Sequence, residues 1–294
     1  MKRMTTVFRE MLRGPDIIHA PIAYDPLTAR IAEQVGFRCL DLGGYALGAS
    51  SCVPEPLLSL EEVLAATRRI TAAVSIPLMV DGGAGYGEPV HVIRTIQEFE
   101  RSGAAAVHIE DQVYPKRAHY HKGVEHLIPA EEMCQKIRCA IRARRDPDFV
   151  IAARTDAMRT DGFEEGVRRA NLYVDAGADM VMLFPNTAEE ARKAPAAVSA
   201  PLIFVNSEGN RLGRPIFPIG DLQSMGFKMV NDAISAITVV YKNVRELFER
   251  LKNTGRTGMD QDIFMRIREE LEDTIGLEEY YRIEEQTVEK REQA

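Results

Sequence analysis

The most constraining feature of the sequence is a unit made of a short apolar run, a polar loop and an amphipathic helix, which recurs along the chain. Eight apolar runs lie at 17–23, 39–42, 77–80, 105–109, 149–153, 180–184, 202–205 and 228–230. Near-continuous apolar runs are typical of strands that are buried on both faces of a parallel sheet. A spacing of roughly 30 residues is typical of a β/α barrel unit. The pattern therefore predicts an α/β protein built as a (β/α)8 TIM barrel.

Glycine ends several of the predicted helices, immediately before a predicted strand. The four glycines are Gly36, Gly103, Gly177 and Gly226. Glycine readily adopts the left-handed conformation that terminates a helix. No G-x-G-x-x-G motif lies between the first strand and helix, so the sequence favours a barrel over an open dinucleotide-binding sheet.

The charge balance and the cysteines limit the partners of the chain. It carries 37 Lys+Arg and 44 Asp+Glu, a net charge of −7, which argues against a nucleic-acid binder. No stretch approaches the ~20 apolar residues that a membrane span needs. The four cysteines form no C-x-x-C pair, so neither a disulfide framework nor a zinc knuckle is expected. We expect a cytoplasmic protein that acts on a small molecule, without a nucleic-acid or membrane partner.

The pattern becomes wholly helical near residue 236, which predicts two domains. Residues 1–236 form the predicted barrel, and residues 237–294 form a C-terminal helical extension. The extension has too much apolar surface for a solvated segment; its large apolar side chains include Leu247, Leu251, Phe264, Ile267, Leu271, Tyr280 and Tyr281. Because an exposed apolar stripe favours association, we expect it to pack on a neighbouring subunit, with a tetramer favoured.

Polar residues follow several predicted strands, at the end of a β/α barrel where active sites lie. Asp81 and Glu110 end adjacent strands, where they can hold a hard divalent cation or simply cap the next helix. The amides of Gly43 and Gly44 can hold a carboxylate or an oxyanion, or they form only a turn. Arg154 is either a bidentate clamp for a substrate carboxylate or part of a structural ion pair.

The connection after the fourth strand contains His119, Tyr120 and His121. Histidine and tyrosine can both donate protons, so this segment can supply a general acid, or it is a surface loop. The two histidines are close-set and lack a third ligand, so the segment does not indicate a zinc site.

These residues belong to a set of motifs. The set comprises Ala23-Tyr24-Asp25, Asp81…Gly85-Tyr86-Gly87, His108-Ile109-Glu110-Asp111-Gln112, Pro115-Lys116-Arg117, Glu131-Glu132-Met133…Lys136-Ile137, Ala153-Arg154-Thr155-Asp156-Ala157 and Tyr173-Val174-Asp175-Ala176-Gly177-Ala178-Asp179. Over about residues 6–251 the chain resembles the isocitrate lyase/phosphoenolpyruvate mutase superfamily. It is most similar to methylisocitrate lyases and carboxyphosphonoenolpyruvate phosphonomutases.

The resemblance implies a (β/α)8 barrel, a Mg²⁺ (or Mn²⁺) ion and a homotetramer whose C-terminal helices swap between subunits. It implies that Asp81 and Glu110 hold the metal. The substrate, with its carboxylate and oxyanion, would be bound by Gly43, Gly44, Tyr45, Arg154, Asn206 and Ser207.

Four positions depart from the family pattern. Ala118 stands where the lyases have their catalytic cysteine, and Gly83 stands where the metal motif has its second aspartate. Asn186 replaces a glutamate after the sixth strand, and Glu55 replaces an aspartate after the second. We expect weaker Mg²⁺ binding, because a hard cation depends on anionic oxygens.

Because the cysteine thiol is missing, another group must donate the proton if a carbon–carbon bond is cleaved. We expect His121 to take this role, then His119, with Tyr120 as a neutral donor and Lys116 as a further catalytic residue.

We predict an enzyme, a carbon–carbon lyase that acts on a 2-hydroxy- or 2-oxo-dicarboxylate through a metal-stabilised enolate. Retro-aldol or retro-Claisen cleavage and decarboxylation are the candidate reactions. One alternative is a phosphonomutase or hydrolase that breaks the P–C bond of a phosphonate; another is a catalytically silent relative that binds a carboxylate. Asn186, Arg211 and Arg214 are expected to select the substrate.

Overall fold

The computed structural model describes residues 2–210 and 212–289 of the chain. It divides into two compact units, with the boundary between residues 237 and 238. Arg211, one of the predicted selectivity residues, lies outside the described residues.

The first unit contains eight parallel strands: β1 (Ile18–Pro21), β2 (Leu40–Leu42), β3 (Leu78–Asp81), β4 (Ala106–Glu110), β5 (Val150–Arg154), β6 (Met180–Leu183), β7 (Leu202–Val205) and β8 (Met229–Asp232). Each strand pairs with its neighbours in the order β1-β8-β7-β6-β5-β4-β3-β2. A parallel bridge between Ile22 and Asp41 joins the two ends of this sheet. The predicted (β/α)8 TIM barrel is confirmed.

Helices connect and surround the strands. They are α1 (Met4–Arg13), α2 (Pro26–Val35), α3 (Gly44–Ser50), α4 (Leu60–Thr71), α5 (Pro89–Arg101), α6 (Ala130–Ala143), α7 (Ala157–Thr160), α8 (Phe163–Asp175), α9 (Ala188–Ala197) and α10 (Ile219–Met225), followed by α11 (Ser235–Thr254), α12 (Gln261–Thr274) and α13 (Leu277–Thr287). Two short 3-10 helices, Glu55–Leu57 and Ala118–Lys122, lie in the connections after α3 and β4.

The strands form where the sequence is apolar on both faces, and β3 to β7 are buried at every position. The register pairs Asp81 with His108 and Glu110 with Arg154. The carboxyl ends of these strands therefore bring polar side chains to one end of the barrel.

The four glycines predicted to terminate helices all have left-handed backbone conformations. Gly36 has a φ of 104° after α2, and Gly226 has a φ of 102° after α10. Gly103 and Gly177 also have positive φ angles. A side chain would strain the backbone at these positions, so glycine fixes where each helix turns back toward the next strand.

The second unit comprises residues 238–294. Its described part contains most of α11 and all of α12 and α13. Many of its large apolar side chains are exposed in the single chain, among them Tyr241, Phe248 and Tyr280. None of the helices in the described part of the chain is long and apolar enough to cross a membrane.

Candidate active site

Three of the predicted site residues meet at the carboxyl ends of β3, β4 and β5. Asp81, Glu110 and Arg154 are all buried, and Glu110 is 0% exposed. One guanidinium nitrogen of Arg154 lies 3.1 Å from a carboxylate oxygen of Glu110. A second nitrogen donates hydrogen bonds of 3.0 and 3.2 Å to Asp156. The two acidic residues thus hold the guanidinium in one orientation.

Backbone amides hold the Asp81 carboxylate in place. Its Oδ1 accepts a 2.8 Å hydrogen bond from the amide of Gly83, and its Oδ2 accepts a 3.2 Å bond from the amide of Gly44 at the start of α3. A Cβ on Gly44 would lie 3.2 Å from that oxygen and 3.0 Å from Cγ of Glu55. Glycine at position 44 therefore permits a close approach between α3 and the acidic side chains.

Electrostatics keep Asp81 ionised. Burial opposes ionisation, but the effects of His108, Lys116 and Arg154 outweigh it and lower the pKa of the carboxyl to about 2. Glu110 differs, because burial raises its pKa to about 7 even though Lys116 and Arg154 oppose the shift.

Glu55 contacts two residues of the loop after β4, although its position in the sequence does not assign it to the site. Lys116 donates a hydrogen bond to one of its oxygens, and the hydroxyl of Tyr120 donates a 2.9 Å bond to the other. In the sequence, only its match to the family aspartate after the second strand indicates a role in the site. The structure shows that this position contacts the loop after β4.

Lys116 bridges two acidic residues from different connections. Its Nζ lies 2.9 Å from Glu110 and contacts Glu55, and it sits 4.1 Å from the ring centroid of Tyr120. Burial opposes protonation of Lys116, but the charges of Glu110 and Glu55 raise its pKa well above the usual value. The lysine is therefore a fixed positive charge inside the site.

The structure separates the three candidate proton donors of the loop. His121 has its Nε2 3.7 Å from Glu55, and its ring contacts Tyr45 edge-on at 5.5 Å. Burial, followed by the charge of Glu55, raises the pKa of Tyr120, so the phenol stays protonated. The His119 side chain is exposed and makes no hydrogen bond, ion pair or ring contact with the described residues.

The predicted substrate-binding residues after β7 are engaged with their own surroundings. The side chain of Asn206 donates to and accepts from the backbone of Phe217, at 2.8 and 3.0 Å. The hydroxyl of Ser207 accepts a 3.0 Å bond from the amide of Ala233. Asn186, after β6, donates to the carbonyl of Met158 at 2.6 Å. These contacts position the connections around the site, and substrate contacts by these residues stay predictions.

The donor set fits a hard cation with few protein ligands. Residues 2–210 and 212–289 contain no group of three or more His, Cys, Asp or Glu side chains placed to hold a metal ion. Mg²⁺ usually takes only one or two carboxylates and fills its shell with water and substrate oxygens. Asp81 is ionised, and neither buried oxygen of Glu110 accepts a hydrogen bond from the described residues. These two carboxylates are therefore suited to such a partial shell.

Comparison with known proteins places this barrel and site in one enzyme superfamily. The family described as Phosphoenolpyruvate phosphomutase matches residues 8–252. A 2-methylisocitrate lyase of Aeropyrum pernix is 38% identical, covering 95% of this chain and 90% of the relative. A 2,3-dimethylmalate lyase of Eubacterium barkeri is 32% identical, covering 94% and 95%.

Solved structures of enzymes from this superfamily are also similar to this chain over nearly its whole length. A crystal structure of 2,3-dimethylmalate lyase, described as a PEP mutase/isocitrate lyase superfamily member, has a TM-score of 0.88 at 32% identity and covers 97% of this chain and 96% of its own. A phosphonopyruvate hydrolase in complex with oxalate and Mg²⁺ has a TM-score of 0.86 at 29% identity, covering 98% and 100%.

The chain belongs to the PEP mutase/isocitrate lyase superfamily, as its motifs predicted. The similarity to two lyases over nearly the whole length also confirms the prediction that it is a lyase.

Proposed function

We propose that this lyase cleaves the carbon–carbon bond of a 2-hydroxy- or 2-oxo-dicarboxylate whose products include a 2-oxo acid. The observation that carries the proposal is the convergence of Asp81, Glu110 and Arg154 at neighbouring strand ends. A fixed guanidinium recognises a carboxylate, and paired carboxylates recognise a divalent cation. Two relatives, named as lyases of 2-methylisocitrate and of 2,3-dimethylmalate, are similar to this chain over 95% and 94% of its length.

For a 2-hydroxy acid, Arg154 binds the carboxylate next to the hydroxyl-bearing carbon. When the carbon–carbon bond breaks, that carbon becomes a carbonyl and loses its hydroxyl proton to a carboxylate of the site. The bonding electron pair moves to the carbon next to the second carboxylate, which must then be protonated. We assign this proton transfer to His121, which lies at Glu55.

The other residues of the loop position the acid. Lys116 and Tyr120 hold Glu55 through its two oxygens, and Glu55 in turn faces His121. Gly43 and Gly44 bring the start of α3 to the site, where the Gly43 amide can donate to an oxyanion.

Asp81 and Glu110 would hold Mg²⁺ or Mn²⁺, in part through water. When bound, the cation would stabilise negative charge that develops on substrate oxygens. Support comes from the buried oxygens of Glu110, which face Lys116 and Arg154 but accept no hydrogen bond from the described residues, and from the Mg²⁺ complex of a structural relative.

We further propose a cytoplasmic homotetramer in which the helices after residue 237 pack on a neighbouring subunit. The exposed apolar side chains of α11 to α13 support this assembly, and the lack of C-x-x-C pairs supports a reducing compartment.

A substrate panel tests the reaction class. The enzyme is incubated with Mg²⁺ and with 2-hydroxy acids, 2-oxo acids and phosphonates, and release of 2-oxo acid, CO₂ and phosphate is followed. Release of a 2-oxo acid from a 2-hydroxy acid is the expected result. Phosphate release or rearrangement of a phosphonate would instead establish P–C chemistry. Thermal stabilisation without turnover would indicate a binding protein.

A further inference from the structure

Three arginines surround the ring of Phe184, which directly follows β6. The guanidinium carbons of Arg154, Arg214 and Arg159 lie 4.8, 5.0 and 5.5 Å from the ring centroid. Stacking on an aromatic face orients a guanidinium and leaves its N–H edge available to an anion. Because Arg154 also belongs to the candidate active site, this arginine cluster is continuous with that site.

Two of the three arginines have acidic partners, whereas Arg214 has none among the described residues. Arg159 lies 2.6 Å from Glu125 and 3.6 Å from Asp156, the residue that also holds Arg154. Within the described residues, no acidic side chain lies within 4.0 Å of the Arg214 guanidinium. Burial, followed by repulsion from Arg159, lowers the pKa of Arg214 to about 10. An anion between these arginines would relieve that repulsion.

The cluster also has hydrogen-bond donors without acceptors. The Nε groups of Arg154 and Arg159 are buried and donate to none of the described residues. The backbone of Arg214 is fixed by Asn210, through bonds of 2.8 Å to its amide and 3.1 Å to its carbonyl. Buried donors without acceptors cost free energy, which a bound carboxylate would recover. The cluster therefore has the charge, the donors and the fixed backbone of an anion subsite.

Building on the proposed function, we infer that Arg159 and Arg214 bind an additional carboxylate of the substrate, beyond the one assigned to Arg154. The substrate is then a 2-hydroxy acid that carries one carboxylate more than the two named in the proposed function. The Phe184 ring that the arginines face is buried, and charge-assisted hydrogen bonds are stronger in such low-dielectric surroundings.

The acids in the names of two relatives, 2-methylisocitrate and 2,3-dimethylmalate, provide a matched pair of probes. 2-Methylisocitrate carries a CH₂–COO⁻ group where 2,3-dimethylmalate carries a methyl group. Retro-aldol cleavage of either gives pyruvate, with succinate from the first acid and propionate from the second. A methyl group would leave the Arg214 guanidinium unpaired, so the subsite favours the tricarboxylate.

The kinetic test compares kcat/KM for the two acids in wild type, Arg214→Gln, Arg214→Lys and Arg192→Gln. Wild type should prefer 2-methylisocitrate. Arg214→Gln should reduce this preference by about 10- to 100-fold, since it removes charge-assisted hydrogen bonds. Arg214→Lys should retain part of the preference. Arg192 is exposed on α9 and serves as the charge control. A preference that is absent in wild type, or unchanged in Arg214→Gln, overturns the inference.

A binding test separates this inference from the proposed function. Succinate and propionate are titrated calorimetrically into the same variants, which requires no turnover. Wild type should bind succinate more tightly, and Arg214→Gln should bind the two acids about equally. If neither probe is cleaved but this difference holds, the proposed reaction fails and the subsite stands. If both acids are cleaved at equal efficiency and bind equally, the subsite fails and the lyase proposal stands.

Discussion

At the residue scale, two departures from the family pattern leave other groups at the same place in the site. Ala118 brings no thiol, but the same 3-10 helix places Tyr120 and His121 at Glu55. Gly83 brings no carboxylate, but its amide donates to Asp81. The site thus has groups that can donate a proton in place of the thiol, and it retains Asp81, the first carboxylate of the motif.

The separation of the loop residues predicts unequal effects of substitution. His121→Ala should reduce kcat by about 10²–10⁴-fold, the usual contribution of a general acid. His119→Ala should have a smaller effect because its side chain is exposed and contacts none of the described residues. Steady-state kinetics measures kcat of both variants on the substrate that the panel identifies. Lys122→Ala, at an exposed position, is the control. Near-wild-type turnover of His121→Ala would contradict the assignment.

The packing around Gly44 predicts a metal-binding defect. Gly44→Ala would push a Cβ against Glu55 and Asp81, so it should weaken Mg²⁺ binding, as should Asp81→Ala. Gly220→Ala is the matched control, because its Cβ would meet nothing within 4 Å. Calorimetric titration with Mg²⁺ compares the three variants with wild type. Equal affinity of wild type and Asp81→Ala for Mg²⁺ would refute the proposal that Asp81 binds the metal.

At the element scale, the sequence predicts strands and strand-end residues well but not what long connections contact. Asp81, Glu110 and Arg154 follow apolar runs, and parallel strands align their ends. Glu55 and Tyr120 lie instead in 3-10 helices within connections after α3 and β4. Hydrophobic periodicity does not specify where such segments lie, so their contact with each other emerges only from the folded structure.

A buried hydrogen-bond network joins the residues that directly follow β4 and β5 to α8. The Asp111 carboxylate accepts bonds from Thr155 at 2.7 Å, Tyr173 at 2.8 Å and Arg169 at 3.2 Å. Tyr173→Phe removes one donor from a buried carboxylate, so it should destabilise the fold by about 1–3 kcal/mol. Urea denaturation measures this, with the exposed Tyr280→Phe as control. An unchanged free energy of unfolding would show that Asp111 does not depend on this bond.

At the scale of the whole molecule, the exposed apolar surface of the second unit supports the proposed assembly. Tyr241 and Phe248 of α11 are 65% and 62% exposed in the single chain. The sequence predicted this apolar surface from side-chain spacing alone. It could not identify the partner surface in the proposed assembly, because contacts between subunits depend on the folded structures of both.

The assembly proposal predicts that charge on this surface dissociates the protein. Light scattering on the full-length wild type should give the mass of a tetramer at micromolar concentration. Phe248→Glu should shift the mass toward smaller species, whereas Asn253→Glu, which adds the same charge at an exposed polar position, should not. A monodisperse wild-type monomer would rule out the assembly.

Cleavage of a carbon–carbon bond is the reaction that we propose for the residues at the strand ends. Its most direct test is proton NMR of 2-methylisocitrate and 2,3-dimethylmalate incubated with Mg²⁺ and wild type, Arg154→Gln or the exposed control Arg192→Gln. Wild type and the control should form pyruvate and a second carboxylic acid in equal amounts. Arg154→Gln should lose this activity because the substrate carboxylate loses its bidentate partner. Pyruvate formation at the wild-type rate by Arg154→Gln, or no cleavage of either acid by wild type, would contradict the claim.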